Sequence, residues 1–105
     1  GLELAMAHAR LPIEEVRIGA LDLLRALATS PWGLAAFDGY AGIYAFLLNR
    51  NRDVTSKAEK EWSFHVVETL YKNPQLPSSR VSTLHAFLTQ GPFYVPPRQA
   101  EMEVQ

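Results

Sequence analysis

Apolar residues recur at three- and four-residue intervals along this chain, in blocks separated by proline, glycine and short polar runs. Leu2, Ala5, Met6 and Ala9 keep that spacing, so residues 2–9 are expected to be one face of a helix. Arg10 and Leu11 close the block. Pro12 is expected at the first position of the next helix, where a missing backbone donor costs nothing. Glu14 and Glu15 then suit the positive end of the helix dipole. Ile13, Val16, Ala20, Leu24 and Leu27 form its face, and Ile18, Leu21 and Ala28 widen it. A helix apolar over so much of its circumference is expected to lie between neighbours. Arg17, Asp22 and Arg25 mark the side expected to meet water.

Ser30-Pro31 restarts the chain with a capping residue and a first-turn proline. A short helix over 32–37 and a second over 41–48 should follow, separated by Asp38-Gly39-Tyr40. Ile43, Phe46 and Leu47 should face inward. Residues 49–53, Asn-Arg-Asn-Arg-Asp, read as a polar loop. Ser56 with Glu59 three residues on is a capping-box pattern. It should open a helix to Lys72 that buries Ala58, Trp62, Val66, Thr69 and Leu70, with Glu68 and Lys72 paired on the wet side. Asn73-Pro74 stops it. Pro77-Ser78-Ser79 opens the last helix, with Val81, Leu84, Phe87 and Leu88 inward and Gly91 at its C-terminal end.

Residues 91–97, Gly-Pro-Phe-Tyr-Val-Pro-Pro, cannot continue that helix, because three prolines lack backbone donors. Their aromatic content suits a docked segment better than a solvated tail. The expectation is a lid in which Phe93 and Val95 point one way and Tyr94 the other. Phe93 is expected against Leu84, Phe87 or Leu88. Residues 98–105 are polar and expected to be a disordered tail, leaving residues 1–97 as one helical domain.

The pattern therefore predicts an all-α fold of five or six helices. Its two clearest starts, Pro12 and Ser56, lie 44 positions apart, near the period of about 40–47 residues seen in HEAT and armadillo arrays. A closed bundle would show similar periodicity. The uncapped first helix favours an array cut from a longer polypeptide, with Leu2, Met6 and Ile13 on the cut face and a tendency to self-associate.

Composition narrows the function. With 10 basic and 11 acidic residues and a net charge of −1, no nucleic-acid footprint is expected. No apolar run approaches the roughly 18 residues of a membrane span. The absence of cysteine excludes disulfides, thiol catalysis and thiolate zinc sites, and fits an intracellular protein. The expected compartment is the cytoplasm, with the nucleus as an alternative.

Candidate chemistry is sparse. Glu61, His65 and Glu68 share a helical face, the arrangement a metal would need. That face is read as polar and solvated, and His8 and His85 supply no second pair of ligands, so no metal or cofactor is expected. Ser30, Ser56 and Ser78 stand at helix starts, where capping accounts for them. No nucleophile elbow or phosphate-binding loop is present, so no enzyme is expected. Trp32, Phe37, Tyr40, Tyr44 and Phe46 are read mostly as core, with one or two as partner anchors. Arg50, Arg52, Lys57 and Lys60 form a small basic region, read as a wet loop before an acidic-partner patch.

At Pro31-Trp32-Gly33 and again at Gly91-Pro92-Phe93-Tyr94-Val95, the chain resembles the C-terminal end of the 26S proteasome non-ATPase regulatory subunit 5 family. The resemblance spans most of residues 12–97, is concentrated in those two motifs and is weakest over 38–60. It implies an armadillo/HEAT-type α-solenoid of which this chain is about the last fifth. It also implies a non-enzymatic chaperone that binds the C-terminal domain of an ATPase subunit while the proteasome regulatory-particle base assembles. The alternative is a structural cap of a larger helical scaffold that binds nothing itself. Both motifs are structural, so no partner-contact residue carries over.

Overall fold

A computed structural model describes residues 2–52 and 56–96. The expected tail at 98–105, together with Asp53 and Pro97, lies outside the described residues. Among those described there are six helices and no strand: α1 (Leu2–Ala9), α2 (Glu14–Leu27), α3 (Pro31–Gly39), α4 (Ile43–Leu48), α5 (Lys57–Lys72) and α6 (Ser78–Gln90).

The helix starts show which sequence signals were decisive. Ser30 Oγ accepts from Gly33 N at 3.0 Å, with Pro31 at the first position of α3. Ser56 Oγ accepts from Glu59 N at 3.1 Å to open α5. Pro12 does not open α2. The chain is still extended at Ile13, and the helix begins at Glu14 with both glutamates in its first turn. Ser78 is the first residue of α6 and caps nothing, because the N-cap is Pro77. Gly42 at φ +86° and Gly91 at φ +88° hold backbone conformations that L side chains rarely adopt, at the start of α4 and the end of α6.

α2 lies between α1 and α5, as its broad apolar face requires, and packs most extensively on α5. Its partners reveal the direction of packing. Arg17 near the start of α2 meets Glu59 near the start of α5. At the other end, Asn73 Nδ2 donates to the Ala28 carbonyl at 2.9 Å and lies 3.4 Å from that of Ser30. Both ends are therefore matched at an offset of 42 to 45 residues, which makes α2 and α5 parallel. Parallel neighbours cannot be joined by a tight turn, and α3 and α4 supply the return path.

The core includes Met6, Leu21, Leu24, Leu34, Phe37, Ile43, Leu47, Val66, Val67, Leu70 and Leu84. Four expectations about facing were wrong. Arg17 is not on the water side, because Glu59 draws it into the α2–α5 seam. α5 turns Glu59, Ser63 and Val67 inward and leaves Ala58 exposed, since its buried stripe must serve Arg17 and Arg52 as well as the apolar core. Leu2 and Met6 are buried within this chain. Of the proposed cut face only Ile13 is exposed, at 51%, because α1 turns its first apolar stripe onto α2. Val81 is exposed at 40%, while Leu84 and Phe87 of α6 are buried and Leu88 packs beside them.

The Pro-Trp-Gly motif has a steric explanation. Gly33 is buried where α3 passes the end of α2, and a Cβ there would fall on the Leu27 carbonyl. Pro31 fixes the first turn, Gly33 permits the approach, and Trp32 is left 68% exposed.

Candidate functional site

At one end of the parallel pair, the turn joining α1 to α2 comes together with the loop after α4 and the start of α5. An open cleft of about 510 Å³ lies between them. Arg10, Arg17, Arg52, Phe46 and Glu59 line it, with Leu11 and Pro12 on the apolar side.

Glu59 organises its inner wall. The Arg17 guanidinium donates to both carboxylate oxygens, from Nε at 2.9 Å and from an Nη at 2.7 Å, and its other Nη donates to the Leu11 carbonyl at 2.8 Å. Those bonds join the α1–α2 turn, α2 and α5 through one side chain. The hydrogen bond to Glu59 pushes Arg17 above its ordinary pKa, against the pull of burial, and Glu14 adds a weaker attraction. Burial alone would raise the Glu59 carboxyl. The Arg17 pair, the Ser56 backbone and the charge of Arg52 outweigh it and hold Glu59 below the ordinary carboxylate value.

The loop arginines are not solvated. Arg52 donates to Ser63 Oγ and lies 4.4 Å from the centre of the Phe46 ring. Arg10 covers the same ring at 5.3 Å. Arg50 donates to the Phe87 carbonyl at 2.8 Å and lies 4.0 Å from the Phe87 ring and 5.4 Å from that of Tyr94. Burial lowers the pKa of both Arg50 and Arg52. Reading Arg50 and Arg52 as part of a wet loop was therefore a mistake, whereas Lys57 is exposed as expected. Periodicity finds aliphatic stripes, whereas these arginines are held by rings and carbonyls, a signal visible only as arginines near aromatics in sequence.

Arg50 also explains why the C-terminal segment docks in the opposite sense to that expected. Pro92 and Tyr94 line one small cavity, and Tyr94 and Pro96 line the next. Phe93 is 45% exposed and Val95 75% exposed. Phe93 is therefore not buried as expected, and Tyr94, itself 38% exposed, is the side chain nearer the helices. Leu84 is fully buried, and the guanidinium of Arg50 already occupies the face of Phe87. Tyr94 approaches that cation, while Phe93 meets Lys57 Nζ at 5.4 Å.

The remaining candidates do not converge. His65 Nδ1 is 3.5 Å from Glu68 Oε1 on an exposed surface, so Glu68 faces His65 rather than the expected Lys72. His8 donates to the Leu4 carbonyl at 2.8 Å, and His85 lies against Tyr71. Among the described residues, no three His, Asp or Glu side chains are grouped as a metal would require. Ser30 and Ser56 serve as caps. Phe37 and Tyr44 are core, while Tyr40 and Phe46 are half-buried. The Tyr44 hydroxyl donates to Asp38 at 2.9 Å. Burial, and then that bond, pushes its pKa up.

Comparison with known proteins gives this helical arrangement a context. The sequence pattern of the family described as proteasome non-ATPase 26S subunit matches residues 1–104. The 26S proteasome non-ATPase regulatory subunit 5 of Drosophila melanogaster is 25% identical over 105 residues. That alignment covers 93% of this chain and 20% of the relative, so the chain spans about a fifth of the relative's length. No solved structure matches.

Proposed function

This chain belongs to the proteasome non-ATPase 26S subunit family, and from that premise we propose that it is the C-terminal part of an assembly chaperone for the base of the proteasome regulatory particle. In this reading the protein binds the C-terminal domain of an ATPase subunit and does no chemistry of its own. The family match over residues 1–104 carries the proposal. The architecture supports an armadillo/HEAT-type array, because α2 and α5 stack in parallel at a nearly constant offset of 42 to 45 residues. Stacked repeats of this kind bind through extended surfaces rather than enclosed pockets. The cytoplasm, where such intermediates would be met, is the proposed compartment, with the nucleus second.

The test is a pull-down of isolated base-ATPase C-terminal domains on the full-length protein and on a version lacking residues 1–105. Capture by the first and loss in the second places this segment in the contact. Equal capture by both favours the second reading, a structural cap. The docked Pro92–Pro96 segment is the observation that favours that alternative.

A further inference from the structure

We propose that Tyr94 is a phosphorylation site and that the cleft around Arg50 is the receptor for its phosphate. Accessibility is the first argument. The chain has four tyrosines. Tyr44 is buried, and its hydroxyl is engaged by Asp38. Tyr71 is half-buried within α5, and Tyr40 is half-buried where α3 ends. Tyr94 alone is exposed, and it lies on a segment outside any helix. A kinase must draw the hydroxyl and its flanking residues into its own active site, which an extended segment allows without unwinding a helix.

The second argument is an unmatched cation. Arg50 is half-buried, and among the described residues no carboxylate meets it. Its one hydrogen-bond acceptor among them is the Phe87 carbonyl, at 2.8 Å. No side-chain nitrogen of the described residues is buried without a partner, so the other donors of Arg50 reach solvent. Burial lowers its pKa, and negative charge on the neighbouring Tyr94 oxygen would oppose that. A half-buried guanidinium that lacks an anion is a place where added negative charge gains most.

The third argument is room and reach. The Tyr94 ring lies 5.4 Å from the Arg50 guanidinium carbon, and both residues line an open cleft of about 400 Å³ with Asn49, Asn51, Thr83 and Gln90. Arg50 also lies over the Phe87 ring at 4.0 Å, which restricts it without consuming its donors. A phosphate on the Tyr94 oxygen would accept charge-assisted bonds from Arg50, with amide and hydroxyl donors beside it. The kinase step transfers the γ-phosphoryl group of ATP to that oxygen. The new O–P bond replaces the bond to the bridging β–γ oxygen, ADP leaves, and the phenolic proton passes to the kinase's base. An ion pair would then fasten residues 92–96 to the loop after α4, where a cation–π contact now holds them. This inference stands independently of the proteasomal reading, since a failed ATPase pull-down would leave the chemistry of Tyr94 and Arg50 unchanged.

The experiment treats the full chain with a nonselective tyrosine kinase and ATP, maps the product by mass spectrometry and titrates it by phosphorus NMR. Tyr94 is expected to carry the phosphate, with Tyr40, Tyr44 and Tyr71 unmodified. The second phosphate ionisation, ordinarily at about pH 6, should fall by about one pH unit relative to a free phosphopeptide of residues 90–97. That is a roughly tenfold preference for the dianion beside Arg50. Arg50→Gln should return the ionisation to the peptide value. Arg25→Gln removes an arginine from an exposed ion pair on α2 and should leave the ionisation lowered. The comparison with the peptide uses the wild-type chain, so it decides the matter even where Arg50→Gln fails to fold. Phosphorylation of Tyr40 or Tyr71 ahead of Tyr94 would overturn the proposal. So would a second ionisation equal to the peptide's, or one still lowered in folded Arg50→Gln.

Discussion

Replacing Asn73 with alanine should destabilise the fold well beyond what a loop residue normally does. Asn73 follows α5, is 7% exposed, and makes three useful contacts through one amide. Nδ2 donates to the Ala28 carbonyl at 2.9 Å, Oδ1 accepts from Gln75 N at 2.9 Å, and the Ser30 carbonyl lies within reach at 3.4 Å. Ala28 is the C-cap of α2, so its carbonyl has no intrahelical donor, and the residue is fully buried. Leaving that acceptor unpaired costs about 1–3 kcal/mol. The turn bond to Gln75 adds less, because water can replace it at an exposed residue. A total near 2–3 kcal/mol should lower the melting temperature of a chain this size by roughly 10 °C or more. Urea and thermal unfolding, followed by circular dichroism, would measure it. Asn73→Asp separates the donor from the acceptor, because it keeps the bond from Gln75 but turns a carboxylate toward two carbonyls. It should be at least as damaging as alanine at neutral pH. If Asn73→Asp matched the wild type, the donor bridge from α5 to α2 would be refuted.

The C-terminal segment should respond opposite to its hydrophobicity: Phe93→Ala should change unfolding by less than about 1 kcal/mol, as suits a largely exposed side chain, while Arg50→Ala loosens the segment and raises its amide exchange. Glu59 has a depressed folded pKa, so its contribution is present above the ordinary carboxylate value of 4.5 and is lost as pH falls through the folded value. The stability advantage of the wild type over Glu59→Gln in urea should therefore be constant near neutrality and shrink below that range. Ser56→Ala should cost about 1 kcal/mol through the lost cap on α5, seen as an equal shift in urea midpoint at unchanged slope. Gly33→Ala should prevent α3 from seating on α2, so its near-ultraviolet dichroism should weaken around Trp32 while helix content largely remains.

Much of the fold was legible in sequence because helices announce themselves locally. Ser30-Pro31 and Ser56 with Glu59 act within one turn, and both serines became caps, although the Glu59 carboxylate turns to Arg17. The stops at Asn73 and Gly91 are equally local. The errors share a different cause. Arg17, Arg50 and Arg52 were assigned to water because an isolated charge belongs there, yet each meets a carboxylate, a carbonyl or a ring supplied by a distant element. Phe93 was placed inside by its hydrophobicity, but the place it needed was held by Arg50. Asn73 was visible as a helix stop and not as a bridge, since its partners lie 43 and 45 residues away. The cleft was legible only as a run of basic residues. Its other half comes from Arg10 and Arg17, which sequence separates from it by about forty positions.

Titration of this 105-residue chain with an isolated base-ATPase C-terminal domain, in a calorimeter, tests the proposed role most directly. A saturable one-to-one isotherm is the predicted result. Tight binding by the full-length protein with no heat from this chain would contradict it, and would make the segment a cap on a binding surface located elsewhere.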